Sequence, residues 1–284
     1  RGVGGSALVE IVTVWGKVVL LVGLAVAGLI RFRPEMLTTG IEPRGLGGAL
    51  IGTASVFMAY EGFQLLTYDY DEIGHPGVTL RRALLSAVIA VTGIYIVVTV
   101  GATSLVGAGT LVEEREIALA AAGREAWGAV GVVLVSVAAA FSTGSAINAT
   151  LFATARLADT VARDGELPTV ACHTNAHDVP DRALLGLAGL AAVLAAIGSL
   201  GGLVEAASLV FLFTFAVVNV IAVGQLDENR WVPALGAIGA TAAVVVLVIQ
   251  LVRTSLPSLV SVGALILIAA LGRPIVLRRT TGTT

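Results

Sequence analysis

The chain is built from apolar runs of about 20 residues with almost no charge in them, and nothing else in the sequence limits the fold as tightly. Eight runs can be placed, at Leu8–Ile30, Leu46–Thr67, Ala83–Leu105, Trp127–Ala155, Ala183–Leu200, Leu203–Val223, Val232–Leu251 and Leu256–Leu271. A helix of 20 residues covers about 30 Å, the thickness of the hydrocarbon core of a bilayer. Inside lipid every backbone N–H and C=O must be bonded within the protein. None of the runs alternates as a barrel strand does, so helices are the remaining solution. The expected fold class is an all-α membrane protein with eight transmembrane helices. Composition agrees: 57% of residues are hydrophobic and 13% charged, with a mean hydropathy of +0.96, against roughly 25% charged in a soluble domain. The 34 glycines allow helices to approach closely.

The seventeen basic residues are sixteen arginines and one lysine. An even number of spans puts both ends of the chain on one side, and ten arginines fall there against six on the other. By the positive-inside rule both ends are expected in the cytoplasm, in a multi-pass protein of the cytoplasmic (plasma) membrane. A net charge of −2 gives no sign of a nucleic-acid partner, and the single Cys172 excludes an intramolecular disulfide. The chain starts at Arg1, and an apolar helix follows within a few residues without a signal-peptide pattern, so it reads as a fragment.

Lys17, the one lysine, lies inside the apolar stretch from Ile11 to Ile30. It is about 9 Å from the nearer end of that stretch, farther than the roughly 6 Å over which a lysine stem can snorkel. An ionisable group so placed marks a functional site, because holding it there costs on the order of 3 kcal/mol without a partner or water. Glu10 returns nearly to the same helix face but is about 10 Å away along the axis, too far for a direct pair. A partner from another element is required.

Glu61-Gly62 falls two thirds of the way along the second run. A carboxylate beside a glycine at that depth suits a broken helix whose freed backbone groups become ligands for a zwitterion or an ion. The alternative is a continuous helix with Glu61 facing a polar interior. Met58, Tyr60 and Phe63 would be pocket walls or plain core. In the fourth run Ser142, Thr143, Ser145 and Asn148 lie within two turns of one another. They are either oxygen ligands for a cation or hydrogen-bonding glue between helices. Residues 111–125 carry acids first and an apolar stripe later, as an interfacial or lid helix or a solvated connector would. Cys172, His173 and His177 have no fourth ligand at a fixed spacing, so no metal site is expected. All histidines fall in loops and no phosphate-binding loop is present, so neither an enzyme nor a cofactor is expected.

Three stretches then match a family. ATARLADTVARDGELP, residues 153–168, is similar to a segment of the amino acid–polyamine–organocation permeases, in which a small residue and Ser-Arg precede a short polar helix and Arg-Asp-Gly-x-Leu-Pro. FMAYEGF, residues 57–63, followed by Asp71-Glu72, His75-Pro76 and Leu80-Arg81-Arg82-Ala83, resembles the family's broken sixth helix, its acidic pair, Asn-Pro and Pro-Arg-Ala. Histidine stands for the asparagine, and arginine for the proline. SLVFLFTFAVVNVIAV, residues 208–223, is similar to the tenth helix.

The resemblance implies an inverted-repeat bundle of five plus five helices with two more, of which this chain holds the fifth to the twelfth. Residues 1–284 would then be a single transmembrane domain incomplete at its N-terminus. Residues 1–30 would be the last helix of the first repeat, 46–223 the second repeat and 232–272 the two additional helices. The function implied is secondary transport of amino acids or related amines by alternating access, coupled to protons rather than sodium. Phe57, Met58, Tyr60, Glu61 and Gly62 would bind substrate, and Lys17 would carry the coupling proton opposite Ser142 and Thr143. Arg156, Arg163 and Asp164 would belong to the cytoplasmic closure, or simply anchor helix ends. Burial disfavours the charged form of an amine, so a lysine in such a place can exchange a proton. The alternative is a non-transporting membrane module that packs with a partner chain.

Overall fold

In the computed structural model, residues 3–42, 45–55, 57–176, 179–226 and 229–254, with 260, 263 and 267, are described. They form helices and connections, with no strand among the described residues. Eight α-helices are found there: α1 Val3–Ile30, α2 Gly45–Ser55, α3 Pro76–Val106, α4 Ala108–Glu114, α5 Ala118–Arg163, α6 Asp181–Ile197, α7 Leu200–Gln225 and α8 Trp231–Thr254. Four stretches are long and apolar enough to cross a membrane: Pro76–Val106, Ala108–Arg163, Leu200–Gln225 and Trp231–Arg253. The expected last span, Leu256–Leu271, lies outside the described residues except at 260, 263 and 267, and His177 and the side chain of Glu10 lie outside them too. Large apolar side chains such as Ile89, Val133, Phe213 and Ile249 stand exposed along these helices. Lipid is the solvent that suits such faces. The molecule is an all-α membrane protein.

The chain divides into two compact units. One takes residues 1–43 and 65–150, the other 44–64 and 151–284. In the first, α1 and α3 touch backbone to backbone. A Cβ added to Gly28 would lie 2.0 Å from the Gly101 carbonyl oxygen, and one on Gly101 would lie 2.6 Å from the Ala25 Cα. Small residues permit this approach, which lipid-embedded helices use in place of a hydrophobic drive. Beside the contact, Leu24, Ala102, Leu105 and Ala122 form a buried cluster.

Ala122 comes from a reversal within α5. Gly128 has φ 66° and ψ −146°, a conformation open to glycine, and divides the helix there. Residues 118–127 fold back on the remainder, so that a Cβ on Gly131 would meet the Gly123 oxygen at 1.9 Å. The later part of the 111–125 stretch therefore packs as a helical arm, with Ala122 and Gly123 buried, instead of running as a solvated connector. The fourth span starts only after Gly128 and continues beyond the expected Ala155 to Arg163.

In the second unit α7 and α8 pair along their lengths, and Ala54, Leu209, Leu212, Leu247 and Leu251 form its buried cluster. Ser199 caps α7 by accepting the Gly202 N–H at 3.2 Å. α5 ends in a Schellman turn. Gly165, at φ 80°, donates to the Ala162 carbonyl at 3.1 Å, and Glu166 donates to the Val161 carbonyl at 3.0 Å.

Candidate functional site

Lys17 lies half-buried on α1, and its Nζ donates to the Ser142 Oγ at 3.4 Å. The two residues are 125 positions apart, so the contact depends on how α1 packs against the second arm of α5. Both line a cavity of about 550 Å³. Leu20 and Leu21 share the face of α1 that carries Lys17, being three and four residues on. Thr143 lines the same cavity, while Ser145 and Asn148 do not. A third wall, from Arg115 to Ala120, brings in Arg115 and Glu116, charges that sequence reasoning did not attach to this place. The acids followed by an apolar stripe in 111–125 are legible in the sequence, but the fold-back at Gly128 that aims the stretch at α1 is not.

The second candidate site lies in the other unit. The run from Leu46 is not one helix: α2 ends at Ser55, Phe57–Tyr60 forms a 3₁₀ turn, and Glu61-Gly62 is a turn before the 3₁₀ segment Phe63–Glu72. Gly62 takes φ 119°, a region closed to most L-residues. The backbone groups released there find individual partners. Glu61 donates its N–H to the Met58 carbonyl at 3.1 Å, and Met58 donates its own N–H to the Ser208 Oγ on α7 at 3.2 Å. Gly62 donates to the Gln64 Oε1 at 3.0 Å, while the Gln64 Nε2 donates to the Glu61 Oε1. Phe215 of α7 clamps both sides of the break. It stacks on Phe63 with centroids 5.6 Å apart and meets Phe57 edge-on at 5.9 Å. Phe57, Met58, Tyr60, Glu61 and Gly62 are all half-buried.

Gln64, Ser208 and Phe215 are participants that sequence reasoning missed. A signal existed for the last two, since Ser208, Phe211 and Phe215 recur at helical spacing and share one face of α7. Nothing in the sequence says that this face meets the break.

Arg156, Arg163 and Asp164 stand exposed at the end of α5. Arg163 pairs with Asp159 one turn earlier at 3.0 Å. Asp164 occupies the capping position of the Schellman turn, and Arg163 in the last turn suits the negative end of the helix dipole. Farther on, His173 Nδ1 lies 2.7 Å from Asp181 Oδ1 at the start of α6. That hydrogen bond, ahead of the smaller contributions of the Arg182 N–H and nearby charge, holds the Asp181 carboxyl below the usual carboxylate range.

Comparison with known proteins agrees with this architecture. An uncharacterized protein of Methanocaldococcus jannaschii is 33% identical over 150 residues, which is 52% of this chain and 34% of that protein. The inner membrane transport protein YbaT of Escherichia coli is 32% identical over 160 residues, 56% of this chain and 37% of its own length. The methylthioribose transporter of Bacillus subtilis is 27% identical over 170 residues, 59% of this chain and 36% of its own. Each match spans about a third of the relative's length. A family model described as amino acid permease matches residues 1–272, nearly the whole chain. With its apolar helices, the chain is a multi-pass membrane protein that belongs to the amino acid permease family.

Proposed function

We propose that this permease is a secondary transporter of amino acids or related amines, coupled to protons and working by alternating access in the cytoplasmic membrane, with both ends of this chain in the cytoplasm. Residues 1–30 close a first repeat in this reading, 46–223 form the second, and 232–272 supply two further helices. The observation that carries the coupling is the ammonium of Lys17, 3.4 Å from the Ser142 hydroxyl on the wall of a cavity. The ammonium there repels a sodium ion from the hydroxyls of Ser142 and Thr143, so that a proton carried on the amine takes the place of a second cation. Substrate is assigned to the break: Phe57, Met58 and Tyr60 as walls, the Gly62 N–H for a carboxylate and Glu61 for an ammonium. The irregular backbone at Glu61-Gly62 supports this, since broken helices in lipid are tolerated where they line a cavity. Arg156, Arg163 and Asp164 are assigned to closure at the cytoplasmic end of α5. The amino acid substrate is inferred from the family, because one relative is named for methylthioribose.

The test is uptake of labelled amino acids into proteoliposomes under an imposed pH gradient, comparing the native-length protein with Lys17→Met. Wild type should accumulate substrate against its gradient, and the variant should only equilibrate it. Equal gradient-driven accumulation by both would remove Lys17 from the coupling mechanism.

A further inference from the structure

Gln64 holds the two polar groups of the break at once. Its Oε1 takes the Gly62 N–H at 3.0 Å, and its Nε2 gives a hydrogen bond to the Glu61 carboxylate. A carboxamide thus presents an acceptor oxygen and a donor nitrogen to a backbone donor and an acidic acceptor. A zwitterionic α-amino acid presents the same pair, as a carboxylate and an ammonium. Both partners are half-buried, so leaving them unbonded in an empty site would carry a desolvation cost that the amide relieves.

We propose that Gln64 is a resident placeholder for the substrate, which an α-amino acid displaces, its carboxylate taking the Gly62 N–H and its ammonium taking Glu61. This rests on the substrate reading of the break given above. The exchange runs toward substrate because the Gly62 N–H gains an ionised acceptor in place of a neutral amide oxygen, and the Glu61 carboxylate gains a cationic donor in place of a neutral one. The placeholder also lowers apparent affinity, since part of the binding free energy goes into removing it. Gln64 is a positioning residue in this role: it sets how tightly the empty break competes with its ligand.

Equilibrium binding of radiolabelled L-serine, L-alanine and L-leucine to the native-length protein in detergent tests this. Gln64→Met keeps the side chain's length and loses both hydrogen bonds. It should bind an amino acid taken by wild type about tenfold more tightly, the factor expected from removing one or two competing hydrogen bonds. The unliganded variant should also unfold at a lower temperature than wild type, with the difference narrowing at saturating ligand. A merely structural glutamine would give equal or weaker binding in the variant, and that result overturns the proposal. Should Gln64→Met fail to fold, Gln64→Asn carries the same expectation, being one methylene too short to reach both partners. If wild type and variants alike bind none of the three amino acids, the substrate reading of the break falls, and the placeholder with it.

Discussion

Lys17 and Glu61 are both ionisable residues inside apolar runs, but their surroundings differ in kind. Lys17 sits on an unbroken helix, and its contact with Ser142 joins that helix to the second arm of α5 through one side-chain hydrogen bond at 3.4 Å. Glu61 sits where the helix gives way, and its neighbourhood is assembled from single hydrogen bonds, a glycine at φ 119° and an aromatic clamp. A charge on a regular helix borrows the rigidity of the packing around it. One beside a break needs separate partners for every backbone group that the helix no longer bonds, and those bonds can be exchanged one at a time. The first arrangement suits the coupling role proposed for Lys17, which asks the group to stay where it is. The second suits a place where a ligand must come and go.

The largest of these effects should fall on the rigid half, with Gly101→Val. Ala25 backbone atoms would lie within 3.0 Å of the new Cβ, and backbone cannot swing aside as the tip of a long side chain can. The expected cost is about 3 kcal/mol, the upper end of ordinary overpacking, read as a lowered unfolding temperature in detergent. Wild-type stability in this variant would mean that α1 does not depend on backbone contact with α3, and the rigid side of the comparison would lose its basis.

How much of this was legible follows from the same contrast. Lys17 and its need for a distant partner could be read from charge and depth alone, because a helix converts sequence spacing into position. Ser142 could be singled out as a polar residue in an apolar run, but its pairing with Lys17 came from family resemblance. The place of the break was readable from Glu61 beside Gly62. Its supports were not: Gln64 looks like any surface glutamine, and Ser208 like a small residue in a helix interface. Their roles depend on which way the chain turns after Tyr60, and the turn follows from a backbone conformation that the sequence permits without requiring. Gly128 was hidden for the same reason, since the run from Trp127 onward has the composition of one continuous span.

A smaller effect should follow from Ser208→Ala on the exchangeable side. Ser208 is fully buried and accepts the Met58 N–H from the start of the break. Its loss leaves that amide without its acceptor, at a cost of about 1–3 kcal/mol. Hydrogen exchange at Met58 should quicken, while the amides near Lys17 keep their protection. Unchanged exchange at Met58 would show that the break holds itself and does not lean on α7, which would weaken the picture of separately supported bonds.

The smallest effect is expected outside the membrane, where His173 and Asp181 join the loop after α5 to the start of α6. Both side chains are substantially exposed, so the pair should act locally and not on the whole fold. The Asp181 carboxyl is held below its ordinary range, chiefly by the His173 hydrogen bond, which means that folding favours its ionised form. The contribution is therefore fully present above the unfolded carboxylate value of about 3.9 and is lost as pH falls through the lower folded value. Hydrogen exchange at residues 169–176 and 179–182 should stay slow from neutral pH down to about 4, after correction for intrinsic rates, and rise below it. Asp181→Asn should remove the acid-dependent rise by exchanging at the faster rate throughout. A rise of equal size in that variant would assign the transition to another group, and the loop would then owe its order to packing alone.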